Sequence, residues 1–410
     1  MFYGWVIVAG AFVVLFMAYG VQYSFGIFFS AMLDEFHWSR ASLAGAFSLY
    51  TFTYCSFGLL AGRLTDRWGP RAVIAVGAGF LGVGLTAMSG VSQVWHPYVL
   101  YGLVAAVGMS TAYVPCSATV ARWFVRRRGL AVGLASGGMA LGTLLMPLVA
   151  NGLTVRIGWR WAYVVFGVGV FAVVSVVATL IRRDPESSGL FPDGDSSPPR
   201  HDSAGSGHAV WTLGAAMRTR ALWMLFGIFA ATWTPVFGPF VHLVPMARGL
   251  GISPMLAASL LSALGLGALV GRLAMGAVSD RVGRRAALAA GLALQVGSFA
   301  ALSASHTLHT LYAAALLFGF SYGAVSVQFP ALIADFFGRA HAGSIVGLLF
   351  ASAGAVAAWG PFAAGWIYDR SGSYGLAWWC SAGFNGFALL LLAFTRAPGG
   401  RDAPPARLTG

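Results

Sequence analysis

The feature that most restricts the fold of this chain is a series of long apolar segments along almost the whole sequence. About 20 consecutive apolar residues can cross a bilayer as one helix. Only 9% of the 410 residues are charged, against about 25% in an average soluble protein. We therefore expect an all-α membrane protein with twelve transmembrane helices. The predicted spans are 5–30, 42–62, 72–91, 97–120, 130–150, 161–181, 221–246, 255–278, 286–304, 310–333, 343–367 and 376–395.

The distribution of arginine predicts the orientation, because all 25 basic residues are arginines. With the N-terminus in the cytoplasm, 19 of them fall in cytoplasmic connections or the C-terminal tail, as the positive-inside rule requires. We expect a multi-pass protein of the cell membrane, in bacteria the inner membrane, with both termini cytoplasmic. The first span is too long for a signal-peptide core and is expected to stay in the mature protein. The external connections hold Arg40, Arg156, Arg160, Arg248 and Arg370.

The two halves of the sequence match each other at one constant offset, which places Gly62 on Gly276. GRLTDRWGPR (Gly62–Arg71) aligns with GAVSDRVGRR (Gly276–Arg285). Ser39 and Ser253 also correspond, and each is a predicted N-cap of the next helix, with Pro254 suited to a first helical position. The other matched pairs are Asp66 and Asp280, Arg67 and Arg281, Gly69 and Gly283, Gly133 and Gly347, and Pro147 and Pro361.

This repeat predicts two pseudo-symmetric six-helix bundles, at 1–181 and 221–396. The segment 182–220 between them is rich in Pro, Gly, Ser and Asp and cannot build a core, so we expect a flexible cytoplasmic linker. A short interfacial helix is predicted at 209–223, and residues 397–410 are expected to form a cytoplasmic tail.

The repeated loop carries a family resemblance. The pattern Gly62-x-Leu64-x-Asp66-Arg67-x-Gly69-x-Arg71 resembles the signature loop of the major facilitator superfamily, with Pro70 where an arginine is usual. The resemblance implies the major facilitator fold, with transport by alternating access between the halves. Gly62 and Gly276 are expected to allow close helix approach. Gate and latch roles are expected for Asp66, Arg67, Asp280 and Arg281, and turn formation with a topology signal is the alternative.

Four further stretches narrow the resemblance to one branch. They are YGWVIVAGAF (Tyr3–Phe12), WFVRRRGLAVGLASGGMALG (Trp123–Gly142), GRLAMG (Gly271–Gly276) and DRSGSY (Asp369–Tyr374). Together they resemble the monocarboxylate porters, whose close neighbours are the oxalate/formate antiporters. The resemblance extends over nearly the whole chain apart from the linker and the C-terminal tail.

One charge, Arg272, stands inside an otherwise apolar helix. It lies eight residues before Asp280, about 12 Å inside the cytoplasmic end of the helix. A mid-bilayer arginine is costly unless it faces a cavity or a partner, and no Asp or Glu occurs in the middle of any span. The repeat partner is Gly58, so the scaffold does not require this charge.

We therefore expect the counter-ion of Arg272 to be a substrate carboxylate held by two hydrogen bonds of the guanidinium. Backbone carbonyls and water are the alternative partners. The resemblance implies the same role, since an arginine of span eight contacts the substrate carboxylate in that branch and Arg272 occupies the matching position.

Proton coupling is where the sequence departs from the animal members of that branch. They have an Asp four residues before this arginine, where this chain has Ala268, and a lysine in span one, whereas this chain has no lysine. His242 in span seven is the candidate for proton coupling because histidine titrates near physiological pH. A hydrogen-bonded core histidine is the alternative. The histidines expected to be solvated in external connections are His37, His96, His306 and His309.

Other polar side chains are predicted to line the central cavity, which spans one, four, seven and ten surround in the fold that the chain resembles. Tyr113, Tyr322 and Ser326 are predicted to donate hydrogen bonds to the substrate, and Gln22 and Tyr23 to contact it. Helix packing is the alternative for each. The same faces carry Tyr19, Gly26, Ser110 and Ser117, and weaker candidates are Tyr50, Tyr54 and Asn385.

The sequence thus predicts a secondary active transporter of small monocarboxylates such as lactate or pyruvate, with protons as co-substrate and a monomer as the functional unit. The alternatives are a carboxylate exchanger of the oxalate/formate type, a transporter of another small organic anion, and a transport-inactive receptor. Cation efflux is disfavoured because no intramembrane carboxylate could attract a cation.

Other function classes lack the residues that they need. No cluster typical of catalysis, metal binding or a cofactor occurs in the sequence, so we expect neither an enzyme nor a cofactor. The basic residues are not gathered on a soluble domain, which disfavours nucleic-acid binding. Cys55, Cys116 and Cys380 lie singly within spans and are predicted to be small buried hydrophobic residues.

Overall fold

The computed structural model describes residues 2–125, 127–186, 189–194, 213–337 and 342–398. Within these ranges the side chains of residues 128, 129, 280, 334 and 342–344 are not described. The predictions for the side chain of Asp280, for linker residues 195–212 and for tail residues 399–410 lie outside the described part.

The described chain is helical, and eleven of its helices are long and apolar enough to cross a membrane. The longest, Leu130–Leu180, has 51 residues and would extend about 76 Å, more than twice the thickness of a bilayer core. Gly158 interrupts it with φ 80° and ψ 156°, outside the helical region. This helix therefore accounts for two crossings, which gives the twelve predicted.

We number the twelve helices α1 to α12. Their bounds are Gly4–Phe36, with a break at Ser24, for α1, Arg40–Trp68 for α2, Pro70–Ala87 for α3, His96–Trp123 for α4, 128–157 for α5, 159–180 for α6, Arg220–Gly249 for α7, Pro254–Val282 for α8, Arg284–Ser303 for α9, Leu308–Phe337 for α10, 342–371 for α11 and Gly375–Phe394 for α12. Because the number of crossings is even, both described chain ends lie on the same side, which we call the inner side.

Left-handed backbone positions recur in both halves. Gly69 and Gly283 have φ 83° and 87° between α2 and α3 and between α8 and α9. The two other pairs of this kind are Gly158 with Gly372 and His37 with Gly251, and the same repeat offset relates the members of each pair. Glycine adopts such angles without steric cost. The two halves therefore change direction at equivalent positions.

The two halves meet in backbone contact where α1 crosses α7. A β-carbon on Gly26 would lie 2.6 Å from the carbonyl oxygen of Phe240, so only glycine fits there. Gly26 and Phe240 are themselves repeat partners, since the offset that places Gly62 on Gly276 also places Gly26 on Phe240. The crossing therefore lies close to the pseudo-twofold axis that relates the halves.

Hydrogen bonds and ion pairs between the halves lie in the middle and on the outer side, among pairs whose members are both described. The pairs are Tyr23 with Tyr322, Ser30 and Asp34 with Arg248, Arg40 with Asp369 and Tyr374, Ala41 with Asp369, Ser48 with Phe362, and Asn151 with Met255. These contacts close the outer side.

Several local predictions differ from the structure. The predicted connection 151–160 is helical except at Gly158, which turns the chain in a single residue. Cys380 is exposed rather than buried, because it lies on the exposed face of α12. Cys55 and Cys116 are buried. His309 belongs to the first turn of α10. In the described part of the predicted interfacial helix, one short turn forms at Leu213–Ala216, and residues 220–223 belong to the start of α7.

The two predicted N-caps differ from each other. Ser39 caps α2 by accepting a hydrogen bond from the Ser42 amide at 3.0 Å. Ser253 occupies the same place before α8, but its side chain makes no capping bond to the described first turn. Pro254 stands at the start of α8 as predicted.

Candidate functional site

Arg272 is held against α10 because α8 and α10 come into backbone contact around it. A β-carbon on Gly271 would overlap the carbonyl group of Phe320, and one on Gly323 would overlap that of Ala268. Small residues at both positions therefore let the two helices approach closely. The side chain of Arg272 consequently reaches the next turn of α10.

The guanidinium of Arg272 makes few contacts within the described residues. Its Nε donates to Ser326 Oγ at 3.3 Å, and its Cζ lies 5.6 Å from the ring centre of Tyr322. Among these residues, Nη1 is buried and has no hydrogen-bond partner. No acidic side chain pairs with Arg272 in the described part. Arg272 is therefore a cation with a buried donor that no described residue uses.

The Ser326 hydroxyl donates to the carbonyl of Gly323 at 2.9 Å and accepts from Arg272. Its single proton is therefore already used, so Ser326 orients the arginine and is not free to donate to a substrate. This differs from the predicted role of Ser326 as a substrate donor.

Tyr322 and Tyr23 join the halves directly beside the arginine. Their hydroxyl oxygens are 3.1 Å apart, and both side chains are almost fully buried. The Tyr23 ring stacks on Phe240 at 4.1 Å between ring centres. The structure thus brings together Arg272, Tyr322 and Tyr23, three of the predicted site residues.

Tyr113 approaches the same point from α4. It is partly exposed and lies within electrostatic range of Arg272 and Tyr322. Tyr19 lies within the same range of Tyr113 and Tyr322, and its ring is 5.9 Å from that of Tyr23. Tyr322, Tyr23 and Tyr113 therefore lie near the guanidinium, and Tyr19 packs beside Tyr23.

The other predicted cavity residues have no hydrogen bond or ring contact with Arg272 among the described side chains. Gln22 is fully buried, and neither its amide nitrogen nor its amide oxygen has a partner among the described residues. Ser110 donates to the carbonyl of Val107 in its own helix, and Ser117 lies one turn beyond Tyr113 on α4. Tyr50 and Tyr54 belong to an aromatic cluster on α2, and Asn385 donates to Ser381 within α12.

His242 lies in the outer closure, apart from the arginine. It is fully buried, with Nε2 2.8 Å from the carbonyl oxygen of Pro361 and Nδ1 3.0 Å from the hydroxyl of Tyr374. A carbonyl can only accept, so Nε2 carries the proton and Nδ1 accepts from Tyr374. These bonds fit a neutral imidazole.

Arg40 extends this network across the two halves. Its guanidinium donates to the Tyr374 hydroxyl at 2.8 Å and lies over the Tyr368 ring at 3.9 Å. The carboxylate of Asp369 accepts from the backbone amides of Arg40 and Ala41, at 3.0 and 2.7 Å. We call His242, Tyr374, Arg40 and Asp369 the outer latch.

The signature loops lie on the inner side. Asp66 pairs with Arg122 of α4 at 2.6 Å. A β-carbon on Gly62 would lie 3.3 Å from Val114, which fits the predicted close approach, but one on Gly276 would have no described atom within 4 Å. Among the described residues, the close approach is therefore seen at Gly62 and not at Gly276. Arg67 and Arg281 are exposed.

Sequence reasoning missed several residues of this region. Trp233 and Phe350 contact the tyrosine cluster through their rings, and Asp369 and Tyr374 complete the outer latch. Contacts between helices that are distant in sequence leave no local pattern. The one available signal was DRSGSY, which contains Asp369 and Tyr374.

Comparison with known proteins agrees with this architecture. The sequence matches the Major Facilitator Superfamily over residues 11–245 and 234–409. Monocarboxylate transporter 11 of Homo sapiens is 29% identical over 280 residues, which are 68% of this chain and 57% of that protein. Monocarboxylate transporter 12-B of Danio rerio is 27% identical over 420 residues, 96% of this chain and 87% of that protein.

A solved structure shows the same fold at low sequence identity. A bacterial homolog to the human lysosomal transporter Spinster, in an inward-facing and occupied conformation, superposes with a TM-score of 0.75 at 14% identity, covering 99% of this chain and 100% of that one. The twelve helices, the repeat and the family match lead to one conclusion. The chain belongs to the Major Facilitator Superfamily and is a multi-pass membrane transporter, not an enzyme.

Proposed function

We propose that this protein transports small monocarboxylates by alternating access and that Arg272 binds their carboxylate group. The observation that carries the proposal is the buried Nη1 of Arg272, which has no partner among the described residues. A guanidinium presents a planar fork of donors that matches a carboxylate. The curated relatives named as monocarboxylate transporters support the same substrate class.

The surroundings of Arg272 favour an acid with one charge. The side chains around it are aromatic, and no second cation occurs in the middle of any span of the sequence. A dicarboxylate would leave its second carboxylate unpaired, which is unfavourable in a poorly hydrated site. Lactate and pyruvate each carry a single carboxylate and fit this requirement. We propose that the hydroxyls of Tyr113 and Tyr322 donate hydrogen bonds to them.

A counterflow assay in proteoliposomes tests the proposal. Vesicles loaded with unlabelled lactate should take up labelled lactate through the wild-type protein. Arg272→Gln should abolish this uptake, and Arg272→Lys should weaken it strongly because an ammonium cannot form two parallel bonds. Arg156→Gln is the matched control, since Arg156 is exposed at the outer end of α5, two residues before Gly158. Uptake by Arg272→Gln at the wild-type rate would refute the assignment.

Proton coupling is proposed to act through His242 and the outer latch. A second proton on Nδ1 of His242 would face the Tyr374 hydroxyl, which now donates to that nitrogen and accepts from Arg40. The hydroxyl would have to turn away and Arg40 would meet a second positive charge. Protonation would therefore loosen the contacts that close the outer side.

Carboxylate exchange remains the second candidate, and one observation favours it. No span of the sequence carries an Asp or Glu in its middle that could neutralise Arg272 in the empty transporter. An empty site would then hold an unpaired cation as the halves rock, which is costly in a low-dielectric interior. Uptake that requires an internal anion supports exchange, whereas accumulation under a pH gradient alone supports symport.

The proposed setting is the bacterial inner membrane with both termini in the cytoplasm and a monomer as the working unit. The arginine distribution supports this orientation. Labelling of single cysteines introduced near each terminus, in intact and opened cells, tests it.

A further inference from the structure

A chain of aromatic contacts leads from the arginine to the inner side of the cavity. The Tyr322 ring, which lies beneath Arg272, contacts Trp233 with ring centres 5.9 Å apart. Trp233 contacts Phe350 at the same distance, and Phe350 stacks on Tyr113 at 6.3 Å. Four helices, α10, α7, α11 and α4, therefore contribute to one continuous aromatic wall.

Phe350 and Tyr113 form the part of this wall that connects the two halves. Tyr113 belongs to the N-terminal half and Phe350 to the C-terminal half, and both are partly exposed. Tyr322 and Tyr23, by contrast, are 6% and 4% exposed. The exposed faces of Phe350 and Tyr113 therefore border open space, whereas the other pair closes the cavity behind the arginine.

Helix geometry places Phe350 slightly nearer the inner side than the arginine, and it places Tyr113 at the level of the arginine. Arg272 lies ten residues before the inner end of α8, about 15 Å along the helix axis. Phe350 lies eight residues after Ala342, where α11 begins, about 12 Å along its axis. Tyr113 lies ten residues before Trp123, the inner end of α4, also about 15 Å along the helix axis. A substrate that approaches Arg272 from the inner side therefore passes Phe350 and meets Tyr113 at the level of the arginine.

A bound acid has only one polar end that Arg272 can satisfy. If the carboxylate meets the guanidinium, the rest of the molecule points towards the aromatic wall. Phe350 offers only apolar surface there, and its ring forms part of that wall. Longer chains would have to displace a ring that packs against Phe229, Trp233 and Tyr113.

We propose that Phe350 determines substrate size, so that short monocarboxylates fit between it and Arg272 while longer ones are excluded. The proposal rests on the carboxylate role of Arg272. Phe350 contacts the apolar end of the acid, and Tyr113 holds the Phe350 ring in place. Replacing the ring with a smaller side chain opens room for longer acids without removing the carboxylate site.

The test compares a series of acids in the wild-type protein and in Phe350→Ala. Inhibition of labelled lactate counterflow is measured for acetate, propionate, butyrate, hexanoate and benzoate. We expect the ratio of hexanoate to propionate affinity to rise at least about tenfold in Phe350→Ala, since each methylene in an apolar pocket changes binding about 10-fold or more. Phe350→Leu should give an intermediate ratio, and it decides the matter if Phe350→Ala does not fold.

Phe226→Ala is the matched control. Phe226 is a partly exposed phenylalanine of α7 that contacts Trp223, outside the aromatic wall. It should keep the wild-type size profile. If Phe350→Ala and Phe350→Leu also keep that profile while lactate counterflow still requires Arg272, the size role of Phe350 is wrong and the proposed function stands. If no acid competes in an Arg272-dependent way even in the wild-type protein, both proposals fail.

Discussion

Asp34 and Arg248 form an ion pair across the two halves, and they occupy the same position in the two repeats. Arg248 also donates to Ser30 at 2.9 Å. Equivalent positions near a pseudo-twofold axis face each other, so opposite charges there attract directly. One repeat position is therefore acidic in the N-terminal half and basic in the C-terminal half, and the two side chains form an ion pair on the outer side.

Removing this ion pair should favour the state that is open to the outside. Asp34 and Arg248 are 58% and 33% exposed, so the pair should contribute about 0.5–1 kcal/mol, a two- to fivefold change in population. Asp34→Asn should increase the outward-open population by that factor, measured as the distance between spin labels on the outer ends of α1 and α7. The exchange Asp34→Arg with Arg248→Asp should restore the wild-type distances. A double variant that behaves like Asp34→Asn would contradict the pairing.

The hydroxyls of Tyr23 and Tyr322 should differ in importance for binding. Tyr322 lies beneath Arg272, whereas the Tyr23 hydroxyl has the Tyr322 hydroxyl as its hydrogen-bond partner among the described side chains. We expect Tyr322→Phe to weaken lactate binding about 2- to 10-fold, the range for one neutral hydrogen bond. Tyr23→Phe should leave affinity unchanged or raise it slightly, because it frees the Tyr322 hydroxyl. Equal losses in both variants would show that both hydroxyls contact the substrate.

The outer latch should make uptake depend on pH through His242. Burial raises the pKa of Tyr374, in the connection before α12, so its hydroxyl stays protonated and can donate to the imidazole. The charged groups that face His242 are Arg40 of α2 and Asp369 of α11, while α1 contributes the Phe29 ring. A proton on His242 opposes Arg40, so lower pH should favour opening of the outer side.

His242→Ala should therefore flatten the pH profile of uptake, and Arg40→Gln should reduce its slope. His242→Gln controls for the lost hydrogen bond to Pro361 because an amide can still donate to that carbonyl. The profile is measured by lactate flux into proteoliposomes at fixed membrane potential. An unchanged profile in both His242 variants would remove this residue from coupling.

Gly283 and Gly276 should respond differently to alanine. Gly283 has φ 87° and ψ 148°, a region essentially restricted to glycine, so Gly283→Ala should destabilise the fold by about 1–3 kcal/mol. Gly276 is helical, and a β-carbon added there would have no described atom within 4 Å, so Gly276→Ala should be neutral or stabilise by up to about 1 kcal/mol. Thermal unfolding in detergent measures both. Equal destabilisation would refute the conformational explanation.

The spans and the repeat could be predicted because hydropathy and glycine positions are local properties. Gly69 and Gly283 were matched by sequence, and their backbones agree, with φ 83° and ψ 157° at the first and φ 87° and ψ 148° at the second. The helical course of 151–157 was missed because a single glycine, Gly158, turns the chain where a loop was expected. Local pattern does not reveal how many residues a turn needs.

The candidate site was only partly predictable for a similar reason. Arg272 is conspicuous in sequence because no acid accompanies it. The Ser326 hydroxyl donates to Gly323 and accepts from Arg272. The second of these hydrogen bonds depends on the distance between α8 and α10, which cannot be read from the sequence. Phe350 resembles any other phenylalanine of an apolar helix until α11 is placed beside α4.

Equilibrium binding of labelled lactate to the purified protein tests the central claim most directly, without dependence on transport. The wild-type protein should bind lactate, and Arg272→Ala should lose at least about 30-fold in affinity, since truncating one partner of a buried charge pair costs about 2–5 kcal/mol. Thermal unfolding should show that the variant remains folded. Wild-type affinity in a folded Arg272→Ala protein would contradict the account.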